Sequence, residues 1–352
     1  MDSAMRPMVL TMGDPAGIGP EVVVKALYEW QQAGATPVWV AGSSALLHKA
    51  LAHHCKREQT APKPIFVVSS AQQAMQQLLL TPHAVVVLDD GVDVGDVAMG
   101  VVSAGAGAAA ARAISCAAQA CLAGHASAVI TAPIHKLALH AAGVAFPGHT
   151  EMLQAAAAKH LGVPIADVPV RMLLANPELQ TVLLSIHVSL RQALELVTVD
   201  NLLQTLLLTN QWVPCLRGTG PLRIAVAGVN PHAGEGGRFG REEIDIMAPA
   251  ISTARKLGLQ VSDPLSPDTV YMRARAGEFD VVVAAYHDQG LIPVKYLGVA
   301  DGVNVTLGLP FVRTSPDHGT AFDIAGLGVA DASSLLQAMS WADASVKRHL
   351  AS

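Results

Sequence analysis

Three of the chain's 14 histidines stand just past short apolar runs: Leu183-Leu184-Ser185-Ile186-His187, Val226-Ala227-Gly228-Val229-Asn230-Pro231-His232 and Val281-Val282-Val283-Ala284-Ala285-Tyr286-His287. Neutral imidazole is the commonest nitrogen ligand for Zn²⁺ and related ions, and three imidazoles with one open coordination position make a catalytic metal site. If the runs are parallel strands, His187, His232 and His287 leave the sheet along one edge, where α/β folds keep their chemistry. Singly, each reads as an ordinary loop or capping histidine; together, the three favour a metal. Asp288 is either a partner for the His287 imidazole or a helix cap. Around His232, the glycines of Gly228-Val229-Asn230-Pro231-His232-Ala233-Gly234-Glu235-Gly236-Gly237 let the backbone approach a ligand closely.

Groups able to hold an anion are few. They are His135-Lys136 after Thr131-Ala132-Pro133, Lys295 after His287-Asp288-Gln289-Gly290, and Arg313 after Gly308-Leu309-Pro310. Arginine in particular grips phosphate or carboxylate through two donors at once. Gly148-His149-Thr150-Glu151 opens a helix whose exposed N–H groups and hydroxyl suit an anion, and Thr150 suits a plain N-cap equally well. Gly105-Ala106-Gly107-Ala108-Ala109-Ala110 matches the dinucleotide fingerprint in letters only. It lies in an Ala-rich helical pattern, and Cys121–Ile130 holds no Asp or Glu for a ribose hydroxyl.

The elements that must position these residues alternate. Short Val- and Ile-rich runs at Pro7–Met12, Pro37–Ala41, Pro64–Val68, Ala84–Leu88, Ala128–Ala132, Val170–Ala175, Gln180–Ile186, Leu222–Val229, Asp280–Ala285 and Val303–Leu307 read as buried strands, with helical stretches such as Ala104–Leu122 between them. Such alternation predicts a mostly parallel sheet with helices on both faces. We place a domain exchange near residue 131 and a return near 300. This gives a first α/β subdomain of 1–130 plus 300–352 and a second of 131–299.

With 352 residues, 51% of them hydrophobic and 14% charged, the chain has ample apolar content for a core and is not disordered. A net charge of −5 without a basic stripe argues against nucleic acid. No run reaches the length of a membrane span, and Asp14 and Pro15 interrupt the first apolar run before a signal peptide could form. Cys55, Cys116, Cys121 and Cys215 lack metal or disulfide spacing and read as reduced thiols, hence a cytoplasmic protein.

Five stretches together resemble the 4-hydroxythreonine-4-phosphate dehydrogenase family and its 4-phospho-D-threonate and 4-phospho-D-erythronate dehydrogenase relatives. They are Thr11-Met12-Gly13-Asp14-Pro15-Ala16-Gly17-Ile18-Gly19-Pro20-Glu21, Pro147-Gly148-His149-Thr150-Glu151, Asn230-Pro231-His232-Ala233-Gly234-Glu235, Tyr286-His287-Asp288-Gln289-Gly290 and Gly302 to Pro310 running on to Arg313-Thr314-Ser315. The resemblance implies an isocitrate/isopropylmalate dehydrogenase-like fold rather than a Rossmann domain, with the first subdomain on the cofactor side and the second carrying the metal ligands and dimer interface. It also implies a homodimer with a shared active site. It assigns one divalent ion (Zn, Mn, Co or Mg) to His187, His232 and His287, and substrate contacts to His149, Thr150, Lys295, Asn304 and Arg313. Asp268, which the sequence alone reads as a helix cap, becomes a substrate-side carboxylate. The loop Asp317-His318-Gly319-Thr320-Ala321-Phe322-Asp323-Ile324-Ala325-Gly326 resembles an adenosine-binding loop, so NAD or NADP is expected at His318, Gly319, Thr320 and Asp323.

The activity implied is metal-dependent oxidation of a β-hydroxy acid by NAD(P), followed by loss of CO₂. Lys295 and Asp268 are the two candidates for proton handling. Candidate substrates are 4-phosphohydroxy-L-threonine, 4-phospho-D-threonate and 4-phospho-D-erythronate, all small anions. A cis-dihydrodiol of an aromatic carboxylate such as terephthalate is the alternative, and a metal hydrolase or aldolase without NAD is a second. A non-enzymatic metal scaffold would leave the Lys, Asn and Arg idle.

Overall fold

The computed structural model describes residues 6–30, 35–213, 220–298 and 301–351. Cys215 therefore lies outside the described residues. The chain divides into two compact units, Met1–Pro169 with Leu309–Ser352, and Val170–Gly308. Its described strands are β1 (Met8–Thr11), β2 (Val38–Ala41), β3 (Ile65–Val68), β4 (Val85–Leu88), β5 (Ala128–Thr131), β6 (Arg171–Ala175), β7 (Gln180–Leu183), β8 (Arg223–Ala227), β9 (Gln260–Leu265), β10 (Val281–Ala284), β11 (Val303–Leu307) and β12 (Val312–Pro316).

In the first unit the strand order is β3-β4-β2-β1-β5-β12, all parallel. β1, β2, β4 and β5 are buried along their whole length, which is why their sequences are continuously apolar rather than alternating. The helix Ala104–Leu122 starts where Ser103 Oγ accepts the Ala106 N–H at 3.2 Å. Gly107 is in this helix for packing: a Cβ there would come within 2.0 Å of the Ala138 carbonyl oxygen. The dinucleotide-like letters are thus a helix contact.

In the second unit the order is β11-β6-β7-β10-β8-β9, with β6 antiparallel to both neighbours and β7, β10, β8 and β9 parallel to one another. Leu174, Leu183, Ala225, Val282 and Leu291 centre its core. The mostly parallel α/β architecture is the expected one.

The unit boundaries differ from the sequence reading. Residues 131–169 belong to the first unit because the helices Lys136–Ala141 and His149–Leu161 pack on the small-residue face of Ala104–Leu122. The return falls at Leu309 rather than near 300, since β11 pairs with β6 inside the second unit. Two strands escaped the sequence reading, β9 and β12. Among the described residues no helix is long and apolar enough to cross a membrane.

Candidate active site

Because β7, β10 and β8 are adjacent and parallel, the segments that follow them leave one edge of the second unit's sheet. Hydrogen bonds continue past the strand ends and fix these exits. Leu184 N donates to Ala284 O at 2.9 Å and Ser185 Oγ to Ala285 O at 2.8 Å. The Gln289 amide accepts from Ala285 N and donates to Gly228 O, both at 2.7 Å. The helix His287–Tyr296 seats tightly on β7, since a Cβ on Gly290 would meet Leu183 Cδ2 at 2.4 Å.

The His187 and His287 ring centroids lie 5.6 Å apart. Two imidazoles sharing one tetrahedral ion through bonds of about 2.0–2.1 Å would have centroids about 5 Å apart. The pair therefore fits a shared ion. Asp288 resolves its alternatives by geometry: its Oδ1 lies 2.7 Å from His287 Nδ1, while Tyr286 occupies the N-cap. With Nδ1–H donating to Asp288, His287 keeps its Nε2 lone pair for a ligand.

His232 stands on a different kind of backbone. Residues 232–236 run through five consecutive left-handed conformations, with φ of 54°, 51°, 78°, 43° and 68°. Three of these, His232, Ala233 and Glu235, are not glycine. At roughly 1–2 kcal/mol per residue the turn stores on the order of 3–6 kcal/mol of strain, and His187 adds another such residue at φ 45°. Strain persists where surrounding structure over-determines it, and here a buried carboxylate does so. Glu243, 4% exposed, accepts from Val229 N and Asn230 N at 2.8 Å each and from Asn230 Nδ2 at 2.9 Å. The His232 ring lies 6.4 Å from that of Phe239. Among the described residues no group of three or more His, Cys, Asp or Glu is close enough to hold a metal ion. Of the three histidines, His187 and His287 are the two whose rings meet.

The remaining residues expected in this unit are separate elements. Asp268 is exposed beyond the carboxyl end of β9, accepts from Ser266 Oγ at 2.6 Å, and precedes Thr269, which is the N-cap. Lys295 is exposed in the last turn of His287–Tyr296. Asn304 is half-buried on β11 opposite Leu174.

In the first unit, Arg313 on β12 is 4% exposed and donates from Nη2 to Thr131 Oγ1 at 2.7 Å. Burial pulls its guanidinium down to about 10, opposed by the charge of Glu151, so it remains a cation at neutral pH. His149 opens the helix His149–Leu161 behind Gly148, and its Nε2 is buried with no partner. Burial first, then the Arg313 charge, holds the imidazole well below its usual range, against a hydrogen bond that it donates to the Ala132 carbonyl. Thr150 is half-buried in the same first turn, whose N–H groups have no helical acceptor. A buried cation, a neutral imidazole with an unused nitrogen, a hydroxyl and a helix N-terminus are the groups in this unit that could hold an anion. His135 instead caps its own helix, accepting from Leu137 N at 3.2 Å and stacking on Phe322 at 4.8 Å. Thr131, Glu243 and Gln289 were not singled out by sequence, since each looks like a routine strand or helix residue there.

The lowered pKa of the His149 imidazole couples folding stability to pH. The unfolded chain takes a proton on this residue below about pH 6.5, whereas the folded chain does so only at lower pH. Stability therefore falls as pH drops below about 6.5, by up to about 1.4 kcal/mol per unit from this residue. Urea unfolding of wild type and His149→Gln across that range should give a shallower slope for the variant; equal slopes would contradict a buried neutral His149.

The loop 317–330 follows β12 and is fastened to the helix Gly19–Glu29. Ile18 N donates to Thr320 O at 3.0 Å, and the Glu21 carboxylate accepts from Gly328 N at 3.2 Å and Ala330 N at 2.7 Å. Lys25 Nζ donates to the carbonyls of Gly328 and Ala330. His318 Nε2 is buried with no partner, Gly319 faces open space where a Cβ would meet nothing, and Asp323 is exposed. These features fit the polar edge of a nucleotide.

The family described as pyridoxal phosphate biosynthetic protein PdxA matches residues 33–342. A 4-hydroxythreonine-4-phosphate dehydrogenase of Beijerinckia indica is 45% identical over 339 residues, covering 96% of this chain and 94% of that protein. A D-threonate 4-phosphate dehydrogenase of Pectobacterium atrosepticum is 40% identical over 329 residues, covering 93% and 95%. The solved structure of a putative 4-hydroxythreonine-4-phosphate dehydrogenase from Salmonella typhimurium superposes with a TM-score of 0.80 at 39% identity, covering 97% of this chain and 99% of that one.

Proposed function

Since the chain belongs to the PdxA family, whose curated relatives carry the names of 4-hydroxythreonine-4-phosphate and D-threonate 4-phosphate dehydrogenases, we propose that it oxidises the secondary alcohol of a phosphorylated β-hydroxy acid. The candidates are 4-phosphohydroxy-L-threonine, 4-phospho-D-threonate and 4-phospho-D-erythronate. The observation that carries the reading is the cradle of Arg313, His149 and Thr150, which suits a phosphate dianion. The oxidised product is a β-keto acid, which loses CO₂.

In this reading NAD or NADP, held at His318, Gly319, Thr320 and Asp323, supplies the hydride acceptor, and a divalent ion (Zn, Mn, Co or Mg) supplies Lewis-acid polarisation of the alcohol oxygen. Arg313 grips the phosphate through two donors, His149 and Thr150 complete its hydrogen bonds, and Asn304 orients the substrate. Lys295 or Asp268 takes the hydroxyl proton, and the other orients the carboxylate. His187 and His287 are the ligand pair within one chain. His232 completes the set from a second copy, in a homodimer that shares its active sites. The described cysteines, Cys55, Cys116 and Cys121, are free thiols, consistent with work in the cytoplasm.

Reduced-nicotinamide absorbance with the three phosphorylated acids and a terephthalate-type dihydrodiol tests the proposal. Turnover of a phosphorylated acid supports it. Turnover of the dihydrodiol alone replaces it with the aromatic alternative, and product without reduced nicotinamide replaces it with a hydrolase or aldolase.

A further inference from the structure

The chain from Gly228 to Gly237 is folded around one side chain. Glu243 lies at the start of the π-helical turn Glu243–Met247 and is buried. Its Oε1 takes both backbone N–H groups that lead into the turn, Val229 and Asn230, and its Oε2 takes the Asn230 side-chain amide. The glycines of the loop are shaped to it as well: a Cβ on Gly228 would lie 3.2 Å from Oε1, and one on Gly234 would lie 2.8 Å from Oε2. His232 is two residues past the last of these donors, on the strained run of left-handed backbone. A run with so little intrinsic preference for its conformation takes its direction from what anchors it. The second anchor, Gln289, reaches Gly228 from the helix that begins with His287, so the His232 loop is referenced to the His287 exit too.

We propose that Glu243 is the positioning residue for His232: its carboxylate is the template on which the left-handed turn is wound, and it sets where the imidazole is presented. The inference rests on reading His232 as a metal ligand. Glutamine cannot replace the carboxylate fully, because its Nε2 would place donor against donor at Asn230 Nδ2.

The test is Co²⁺ affinity, by spectral titration of the full-length protein, for wild type, Glu243→Gln, His232→Asn and the double variant. Asparagine is chosen because it tolerates left-handed backbone. Glu243→Gln should bind Co²⁺ about 10–100-fold more weakly while still melting cooperatively, as expected for a residue that orients a ligand. In the His232→Asn background it should have no further effect, because its influence passes through that imidazole. In the metal-free protein the amides of Val229 and Asn230 should exchange faster in Glu243→Gln. Wild-type affinity in Glu243→Gln, or an equal loss with and without His232, overturns the positioning role and leaves the proposed function standing. Unchanged affinity in His232→Asn overturns the ligand reading itself. If Glu243→Gln does not fold, Asn230→Ala removes one partner and keeps the carboxylate; it should weaken Co²⁺ in the same direction by less, and wild-type affinity there overturns the role.

Discussion

His187→Asn and His232→Asn, each purified alone, are expected to be inactive, and a mixture of the two is expected to recover about a quarter of wild-type turnover. If each site takes His187 and His287 from one protomer and His232 from the other, a mixed dimer has one site carrying both lesions and one carrying neither. Random re-association makes about half the dimers mixed, so about a quarter of all sites are intact. The magnitude is large because the starting variants lack a ligand outright. The recovery follows from the proposed sharing of ligands, in which His187 and His287, whose rings lie 5.6 Å apart, are supplied by one protomer. Asparagine suits both positions, whose φ values are 45° and 54°, so the loops keep their shape. Activity after mixing, dissociation and dilution checks it. No recovery above the separate variants contradicts a shared site.

Arg313→Lys should lower kcat/KM for a phosphorylated substrate by about ten- to a hundred-fold, the equivalent of a charge-assisted hydrogen bond worth roughly 1.5–3 kcal/mol. Lysine keeps the charge but loses the planar fork proposed to grip the phosphate. For the same acid without its phosphate the loss should be much smaller, and the KM for NAD or NADP should be nearly unchanged. Steady-state kinetics on both substrates with wild type and variant decide the point. Equal losses would make Arg313 a carboxylate ligand or a structural residue, and the aromatic dihydrodiol reading would then lead.

The legible parts of the sequence were those where burial on both strand faces leaves an apolar run, as in β1, β2, β4 and β5, and where a helix reads cleanly from cap to end, as Ala104–Leu122 does. β12 was illegible because Arg313, Thr314 and Ser315 are polar yet buried, so the strand carries no continuous apolar run. β9 ends in Asp263-Pro264-Leu265 and pairs only at the sheet edge, so it carries neither alternation nor a continuous apolar run. The three histidines could be placed on one edge from the runs before them, because a parallel sheet aligns its strand ends. Their mutual distances could not, since the His232 turn depends on left-handed backbone and on Glu243, 11 residues further along. Boundary 131 failed for a similar reason, as the small residues that seat two further helices on Ala104–Leu122 look like ordinary helix formers.

Measuring reduced nicotinamide and CO₂ together from one reaction tests the proposed metal-dependent oxidative decarboxylation of a phosphorylated β-hydroxy acid. Both are expected in equal amounts from a phosphorylated substrate, to vanish with a chelator and to return with a divalent ion. Consumption of the substrate without reduced nicotinamide, or at an unchanged rate after complete metal removal, would contradict it.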